Sequence, residues 1–333
     1  MIAGAQHGKA QRFERIAVEE GFTIPEIAAE QRKLAPPGPP PPPFRVALFK
    51  ALLDLGPDRI KTMDADGIAK QVLVLSGPII QDIDPVHGSE LAALANDRLA
   101  AAARAYPERI TGLAAFAPHD PAQAARELER AVKTLGLKGG IVNSHSRGAY
   151  LDDRKFWPIF EAAQALDVPI YIHPRDPSPQ MFEPFDMLGF RIGWSWAVEV
   201  GTHVVRLIWA GLFDAFPRLR IVIGHMGEGL PFCLDRIDNR YLWEHEMAGS
   251  SPKLKRRPSD YIRENVIITT SGMNFAPPLQ LAVSVLGIDN VLFAADYPFE
   301  DVRESVAAMD AATIADSDKQ KLYHLNAKRV FGL

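Results

Sequence analysis

Eight short apolar runs alternate along the chain with stretches that are long enough to form a helix. The runs lack strict alternation of apolar and polar residues, which is typical of strands buried on both faces in a parallel sheet. They read RIAVEE (15–20), KQVLVLS (70–76), ITGLAAFA (110–117), LKGGIVN (137–143), VPIYIH (168–173), RIVIGH (220–225), VIITTSG (266–272) and VLFAAD (291–296). Eight such strand–helix units predict an α/β fold, the (β/α)8 or TIM barrel.

Helical patterns fall between these runs, where a barrel needs them. The segment SELAALANDRLAAAARA has apolar residues three and four positions apart, and Asp120 with Pro121 forms an N-cap and first helical residue. The pattern predicts one helix after Gly229 and others at 58–69, 89–105, 121–135, 153–166, 195–213, 278–286, 301–312 and 316–330.

No second domain is apparent. Residues 1–12 are expected to form a loose tail, and residues 13–333 one barrel domain, because barrels of about 250 residues or more are single domains. Residues 36–43 read PPGPPPPP, which predicts extended backbone or loop beside the site, although a peptide-recognition ligand is an alternative. The aromatic stretch 176–196 should cover the pocket or build an interface.

Composition narrows the classes of partner. The net charge is −4 without a basic block, so neither nucleic acid nor an anionic membrane is an expected partner. No apolar run approaches the roughly 18 residues of a membrane span. A single cysteine, Cys233, cannot form an internal disulfide and fits a reducing compartment, so we expect a cytoplasmic protein.

Four of the predicted strand ends carry chemically active residues. In a barrel the carboxyl ends of the strands open onto the active site, and here they supply Glu19, His173, His225 and Asp296. Carboxylates and imidazole suit Zn²⁺ or Mn²⁺, and three protein ligands leave positions open for substrate. The alternatives are a satisfied core histidine at 173 and surface charges beyond the first strand.

Two further pairs of residues depend on local spacing. Strand alternation allows only one of Glu19 and Glu20 to face the barrel lumen. His225 has Glu228 three residues later, which indicates an oriented acid–base group or a supported ligand, with a structural histidine in a turn as the alternative.

Two residues on predicted helices have less specific patterns. His203 lies four residues after Glu199, so the two share a helix face, and we interpret them as a helix-surface pair or an interface contact. Arg236 could bind a substrate carboxylate with both nitrogens or form a salt bridge within its helix, and the sequence leaves both open.

The motifs together resemble a known family. AVEEGFTIPE, YIHPRDP, GLFDAFPRLRIVIGHMGEGLP, ENVIITTSG and LFAADYPFE occur in this order. They resemble the amidohydrolase-2 family of aminocarboxymuconate-semialdehyde decarboxylase relatives. Within it, the chain is most similar to the γ-resorcylate, 2,3-dihydroxybenzoate and 5-carboxyvanillate decarboxylases. The resemblance covers nearly the whole chain from about Arg15.

This resemblance implies a barrel with one divalent metal ion, Zn²⁺ or Mn²⁺, bound by Glu19, His173 and Asp296. It implies that His225, with Glu228 behind it, is the catalytic histidine, that Asp296 is also catalytic, and that Arg236 lies near the substrate. The expected reaction is non-oxidative decarboxylation of a hydroxylated aromatic acid. Separately, the apolar segment 182–196 predicts an oligomer, a homodimer or a homotetramer. A metal-dependent hydrolase or hydratase of the same superfamily is the alternative.

Two positions depart from the pattern of related enzymes. Many relatives have a histidine two residues after the first ligand, whereas this chain has Gly21, so the metal loses one possible ligand. The fourth strand ends at Asn143 rather than at the lysine that binuclear amidohydrolases carboxylate, so a second metal is not expected.

Overall fold

Parallel strands form the centre of the protein. The structure, a computed structural model, describes residues 13–34, 38–182, 191–249 and 252–333. The strands of the described part are β1 (Ile16–Phe22), β2 (Lys70–Leu75), β3 (Ile110–Gly112), β4 (Ala114–Ala115), β5 (Gly140–Asn143), β6 (Ile170–His173), β7 (Ile221–Ile223), β8 (Val266–Thr269) and β9 (Val291–Leu292).

The strands close into a ring. They pair in sequence order and in parallel, as β1–β2–β3 and as β4 to β9. β3 and β4 are parts of one strand, because the N–H of Leu113 between them donates to Leu73 O at 2.9 Å. The N–H of Val18 in β1 donates to Phe293 O, just after β9, at 3.0 Å. The predicted barrel is therefore confirmed.

Helices connect the strands and surround them. They are α1 (Pro25–Leu34), α2 (Pro43–Leu53), α3 (Pro57–Asp66), α4 (Ile79–Asp82), α5 (Pro85–Ala105), α6 (Pro121–Lys133), α7 (Trp157–Ala165), α8 (Pro179–Phe182), α9 (Trp196–Trp209), α10 (Leu212–Ala215), α11 (Leu230–Trp243), α12 (Pro258–Asn265), α13 (Ala276–Leu286), α14 (Val302–Ala311), α15 (Asp316–Gln320) and α16 (Asn326–Phe331).

Alternate strand residues build two apolar layers. Val18, Val72 and Val222 belong to one buried cluster, which Phe331 of α16 joins. Ala17, the neighbour of Val18, belongs to the larger cluster between strands and helices. Each strand thus fills the lumen with one face and packs on helices with the other, which explains why the runs are continuously apolar.

Some predicted segments fall outside the described residues. The tail at 1–12 does, and so do residues 35–37 of the region around the proline run and 183–190 of the aromatic stretch. The assignment of 13–333 to one domain stays a prediction. Of the proline run, Pro42 is extended, with φ −64° and ψ 156°, and Pro43 begins α2. In the described ranges, no helix combines the length and apolarity needed to cross a membrane.

Candidate active site

The four predicted strand-end residues meet at one mouth of the barrel. The distance from His173 Nε2 to Glu19 Oε1 is 3.8 Å. His225 Nε2 lies 3.9 Å from Glu19 Oε1 and 3.9 Å from Asp296 Oδ2. Glu19 and His173 belong to β1 and β6, whereas His225 and Asp296 follow β7 and β9 closely. The fold thus brings together residues that are up to 277 positions apart.

A β-bulge places Glu19 in the site. The register of β1 against β2 shifts between Val18 and Glu20, and Glu19 is the extra residue, with φ 88°. Both glutamates are buried, so the alternative of two surface charges is wrong. After the bulge Glu20 pairs with Leu73, a member of the cluster between strands and helices, so Glu20 lies on that side of the sheet and Glu19 alone of the two faces the site.

The Glu19 carboxylate is only half satisfied. Its Oε2 accepts a 2.6 Å hydrogen bond from the hydroxyl of Thr269 at the end of β8. Its Oε1 is buried and accepts no hydrogen bond from a described residue. A buried carboxylate oxygen without a donor is costly unless a cation or another ligand meets it. Oε1 is the atom that faces both histidines.

His173 has the orientation of a metal-binding imidazole. Its Nδ1 lies 2.9 Å from Pro174 O and 3.2 Å from Asn143 Oδ1, both acceptors, so Nδ1–H donates to them. The lone pair is then on Nε2, the atom near Glu19. Two atoms that each lie about 2.1 Å from one ion can be at most about 4.2 Å apart, and the 3.8 Å separation meets that limit.

His225 is paired with a buried carboxylate. Glu228 Oε1 accepts a 2.6 Å hydrogen bond from His225 Nδ1–H. Burial alone would lower the pKa of His225, but the charge of Glu228 and a contact with Asp296 raise this pKa well above its usual value. The two residues do lie in a tight turn, with φ 48° and 53°. The ring nevertheless points into the site, so the turn serves to orient it.

The environment of Asp296 favours retention of a proton. Burial raises the pKa of this carboxyl above its usual value, and the charge of Glu19 raises it further, whereas a contact with His225 lowers it. Asp296 has φ 66°, in the left-handed region that few non-glycine residues occupy. A backbone held in this conformation directs the side chain toward the barrel axis.

The four side chains point toward one another but do not yet form a complete metal site. No group of three or more His, Cys, Asp or Glu side chains in the described ranges is already arranged to hold a metal ion. The residues present nonetheless fit a divalent cation, because Glu19 Oε1 is unpartnered and His173 Nε2 carries a free lone pair. The ligand and catalytic roles of Glu19, His173, His225, Glu228 and Asp296 stay predictions.

Arg236 is separate from this group. It is exposed on α11, and within the described part of the chain it makes no hydrogen bond or ion pair with the four converging side chains. Its role at the substrate therefore stays a prediction too. An aromatic residue is closer, since the Trp196 ring lies edge-on to His173 with centroids 6.5 Å apart.

Sequence patterns did not identify several supporting residues. Ser271 Oγ accepts the N–H of His225 at 3.1 Å and lies 2.9 Å from the Thr269 hydroxyl. A Cβ at Gly224 would lie 2.7 Å from Glu19 Oε1, so only glycine leaves room for that carboxylate. Thr269 and Ser271 lie in the motif ENVIITTSG, and Gly224 directly precedes His225. The position of these three residues at strand ends was the sequence signal that could have identified them.

The interpretation of His203 and Glu199 as a surface pair was wrong. Both lie on the buried face of α9 and are completely inaccessible to solvent. Glu199 accepts hydrogen bonds from Ser144 Oγ at 2.8 Å and from Tyr150 OH at 2.7 Å, and His203 accepts the N–H of Leu151 at 3.0 Å. Burial lowers the pKa of His203 to about 3, so the ring is neutral and ties the loop after β5 to α9.

The two departures from the pattern of relatives have structural consequences. A Cβ at Gly21 would lie 3.0 Å from Leu52 Cδ2 and 3.2 Å from Phe299 Cε2, so Leu52 of α2 and Phe299 together occupy the space that a larger side chain would need. Asn143 does not face outward; its Oδ1 lies beside His173, and its N–H donates to Gln81 Oε1 at 2.7 Å.

Comparison with known proteins agrees with this geometry. The amidohydrolase family profile matches residues 76–333. A γ-resorcylate decarboxylase of Polaromonas sp. (strain JS666) is 38% identical over 330 residues, which cover 96% of this chain and 98% of the relative.

Two solved structures are similar as well. One is the 5-carboxyvanillate decarboxylase of Novosphingobium aromaticivorans with manganese and 4-hydroxy-3-methoxy-5-nitrobenzoic acid (TM-score 0.93, 38% identity, 98% of each chain covered). The other is the dihydroxybenzoic acid decarboxylase of Polaromonas sp. JS666 with manganese and 2-nitroresorcinol (TM-score 0.89, 38% identity, 96% and 97% covered). The chain therefore belongs to the amidohydrolase family.

Proposed function

We propose that this protein is a metal-dependent, non-oxidative decarboxylase of a hydroxylated aromatic carboxylic acid. The observation that carries the proposal is the convergence of Glu19, His173, His225 and Asp296 at one barrel mouth. Relatives that match this chain over nearly its full length are decarboxylases of γ-resorcylate and 5-carboxyvanillate, which supports a small aromatic acid as substrate.

Glu19, His173 and Asp296 would hold one divalent ion. The unpartnered Glu19 Oε1 and the free Nε2 of His173 support this assignment. Bound manganese in two solved relatives favours Mn²⁺, with Zn²⁺ as the other candidate. When bound, such an ion would supply positive charge that favours binding of an anionic, hydroxylated substrate in one orientation.

Asp296 would deliver the proton that the reaction needs. The proton adds to the ring carbon that carries the carboxylate, and this step removes aromaticity. The bond to the carboxylate then breaks, its electron pair returns to the ring, and CO2 leaves, so hydrogen replaces the carboxylate. The raised pKa of Asp296 suits a proton donor, and His225, 3.9 Å from Asp296 Oδ2, can return a proton to it through the site.

Glu228 would keep His225 in the required orientation through the 2.6 Å hydrogen bond to Nδ1. Trp196, edge-on to His173, offers an aromatic wall for a flat substrate. Arg236 remains our candidate for binding a second polar group of the substrate, and its exposure on α11 requires that the substrate or a neighbouring segment reaches it.

A hydrolase or hydratase of the same family is the alternative reaction. It would need a water molecule activated at the site with Asp296 or His225 as base. The space beside Gly21, where many relatives have a further histidine ligand, is filled here by Leu52 and Phe299. This filling favours the decarboxylase, because it leaves the site narrower and more apolar next to the first strand.

Release of CO2 from a panel of hydroxybenzoates tests the proposal. The panel should contain 2,6-dihydroxybenzoate, 2,3-dihydroxybenzoate, 5-carboxyvanillate and, as the matched control, 4-hydroxybenzoate without an ortho oxygen. We expect CO2 and an intact ring with at least one ortho-hydroxylated acid after loading with Mn²⁺ or Zn²⁺, and none with the control. A hydrated product, or CO2 from no member of the panel, would contradict the proposal.

We also propose that the protein assembles as a homodimer or homotetramer. Exposed apolar side chains on α2, among them Phe44 and Phe49, lie with Ile192 and Phe299 around a groove of about 820 Å³. Large exposed apolar patches usually mark interfaces, and a second copy of this chain is the occupant we favour. The unpaired Cys233 supports a reducing, cytoplasmic location.

A further inference from the structure

Glu20, the neighbour of Glu19, is buried and makes contacts of a different kind. Its Oε1 accepts the N–H of Ala295 at 3.0 Å, and its Oε2 accepts the N–H of Tyr297 at 2.9 Å. These two amides stand on either side of Asp296. The side chain is completely inaccessible to solvent, so both of its oxygens are committed to this one segment.

The segment that Glu20 holds is strained. Asp296 has φ 66°, a conformation that costs a non-glycine residue free energy and persists only when its surroundings impose it. A third hydrogen bond connects the same elements, from the N–H of Gly21 to Tyr297 O at 2.6 Å. The end of β1 and the turn after β9 are therefore joined at three points around the Asp296 side chain.

A buried arginine supports this junction from behind. Arg59 is inaccessible to solvent and donates to Gly21 O at 2.8 Å and to Ala51 O at 3.1 Å. Its guanidinium carbon lies 5.1 Å from the centre of the Tyr297 ring. Burial raises the pKa of Glu20 to about 8, and the two backbone N–H bonds and the charge of Arg59 oppose that rise.

We infer that Glu20 is a positioning residue for Asp296, which it aims into the site by holding the amides of Ala295 and Tyr297. The inference rests on the proposed function, in which Asp296 binds the metal and donates the proton. Glu20 touches neither metal nor substrate, and acts through the backbone. Groups that orient metal ligands typically change metal affinity or activity 10- to 100-fold when they are replaced.

Glu20→Gln tests this role. Glutamine has only one acceptor oxygen. Its NH2 group would therefore face one of the two backbone N–H groups, and that buried N–H would have no acceptor. We expect Mn²⁺ affinity, measured by EPR titration of metal-free protein, to fall about 10- to 100-fold. At saturating Mn²⁺ we expect kcat to remain about 10-fold or more below the wild type, since misplacement by about 1 Å costs up to 100-fold.

Glu127→Gln is the matched control. Glu127 of α6 is another buried glutamate, which accepts hydrogen bonds from Asn96 Nδ2 of α5 at 2.7 Å and from Arg130 Nε of α6 at 2.8 Å. Its replacement should lower the melting temperature and leave Mn²⁺ affinity unchanged. Glu20→Asp, which keeps the charge but is too short to reach both amides, carries the test if Glu20→Gln does not fold.

Two results would overturn the inference. One is Mn²⁺ affinity and turnover within twofold of the wild type in the Glu20 variants. The other is an equal loss in Glu127→Gln, which would reduce the role of Glu20 to general stability. Asp296→Asn separates this question from the proposed function: if that variant keeps normal turnover with metal bound, Asp296 is not the acid, whatever the Glu20 variants do.

Discussion

Replacement of Glu228 by glutamine should lower the pKa of His225 and slow the reaction. The hydrogen bond between His225 Nδ1 and Glu228 Oε1 is 2.6 Å long and buried. Among the groups that raise the pKa of His225, the charge of Glu228 is the largest. Glutamine keeps the shape and one acceptor oxygen but removes that charge, so the change isolates the electrostatic part of the pair.

The expected magnitude follows from the energies of hydrogen bonds. A bond to a charged group contributes about 1.5–3 kcal/mol, and a neutral one about 0.5–1.5 kcal/mol. The loss is therefore about 1–2 kcal/mol, and the pKa of His225 should fall because its charged form loses this stabilisation. Turnover should fall about 10- to 100-fold, the usual effect of removing an orienting carboxylate.

The pH dependence of stability gives a second measurement. In metal-free protein the folded state raises the pKa of His225 above its unfolded value of about 6.5. The pair therefore stabilises the fold fully below about pH 6.5, and this contribution is lost as the pH rises through the folded pKa. The wild type should exceed Glu228→Gln in urea-unfolding free energy by more at pH 6 than at pH 9.

Two observations would refute the reasoning. One is an NMR titration in which the pKa of His225 is the same in both proteins. The other is a stability difference that does not shrink between pH 6 and pH 9. Glu161→Gln, the same chemical change at an exposed position of α7, is the control and should alter neither the pKa of His225 nor turnover.

Further predictions concern the metal, the acid and the assembly. Elemental analysis should find about one divalent ion per chain, and Glu19→Gln should abolish its binding; two ions per chain would contradict a mononuclear site. Gly224→Ala should weaken Mn²⁺ binding about tenfold or more, because its Cβ would lie 2.7 Å from Glu19 Oε1, whereas Gly193→Ala meets nothing within 4 Å and should bind normally. Asp296→Asn with metal restored should lower turnover about 100-fold or more; near-normal turnover would assign the proton to His225. Light scattering at micromolar concentration should show a dimer or tetramer, and a monomer alone would refute the assembly.

Most of the barrel could be predicted because its strands and helices follow local rules. Each strand is apolar on both faces, and Asp120 caps α6 by accepting the N–H of Gln123 at 3.1 Å, as its sequence indicates. The helices α1, α2 and α12 were missed, as were the single-turn helices α4 and α8. α2 begins at Pro43, the last residue of the proline run, and its apolar residues lie on most sides of the helix rather than in the single stripe that identifies a packed helix.

The residues of the site could be located, but the geometry around them could not. Glu19, His173, His225 and Asp296 are strand-end residues, and the carboxyl ends of parallel strands share one side of a barrel. The local sequence does not indicate the bulge at Glu19, because the bulge depends on how β1 pairs with the neighbouring strand. The interpretation of His203 was wrong for a similar reason. Helical spacing shows that two residues share a face of the helix, but it does not show whether that face is buried.

The backbone at the site breaks the rules on which sequence interpretation depends. Glu19, His225, Glu228 and Asp296 all have positive φ, a conformation that costs each non-glycine residue on the order of 1–3 kcal/mol. Such strain persists only where contacts impose it, and here they do: Thr269 holds the Glu19 carboxylate, and hydrogen bonds hold the backbone on both sides of Asp296. The strained backbone therefore lowers the stability of the fold, but it holds these side chains directed at one point before any ligand binds. That is the arrangement electrostatic catalysis requires, because groups fixed in advance need no rearrangement when charge develops.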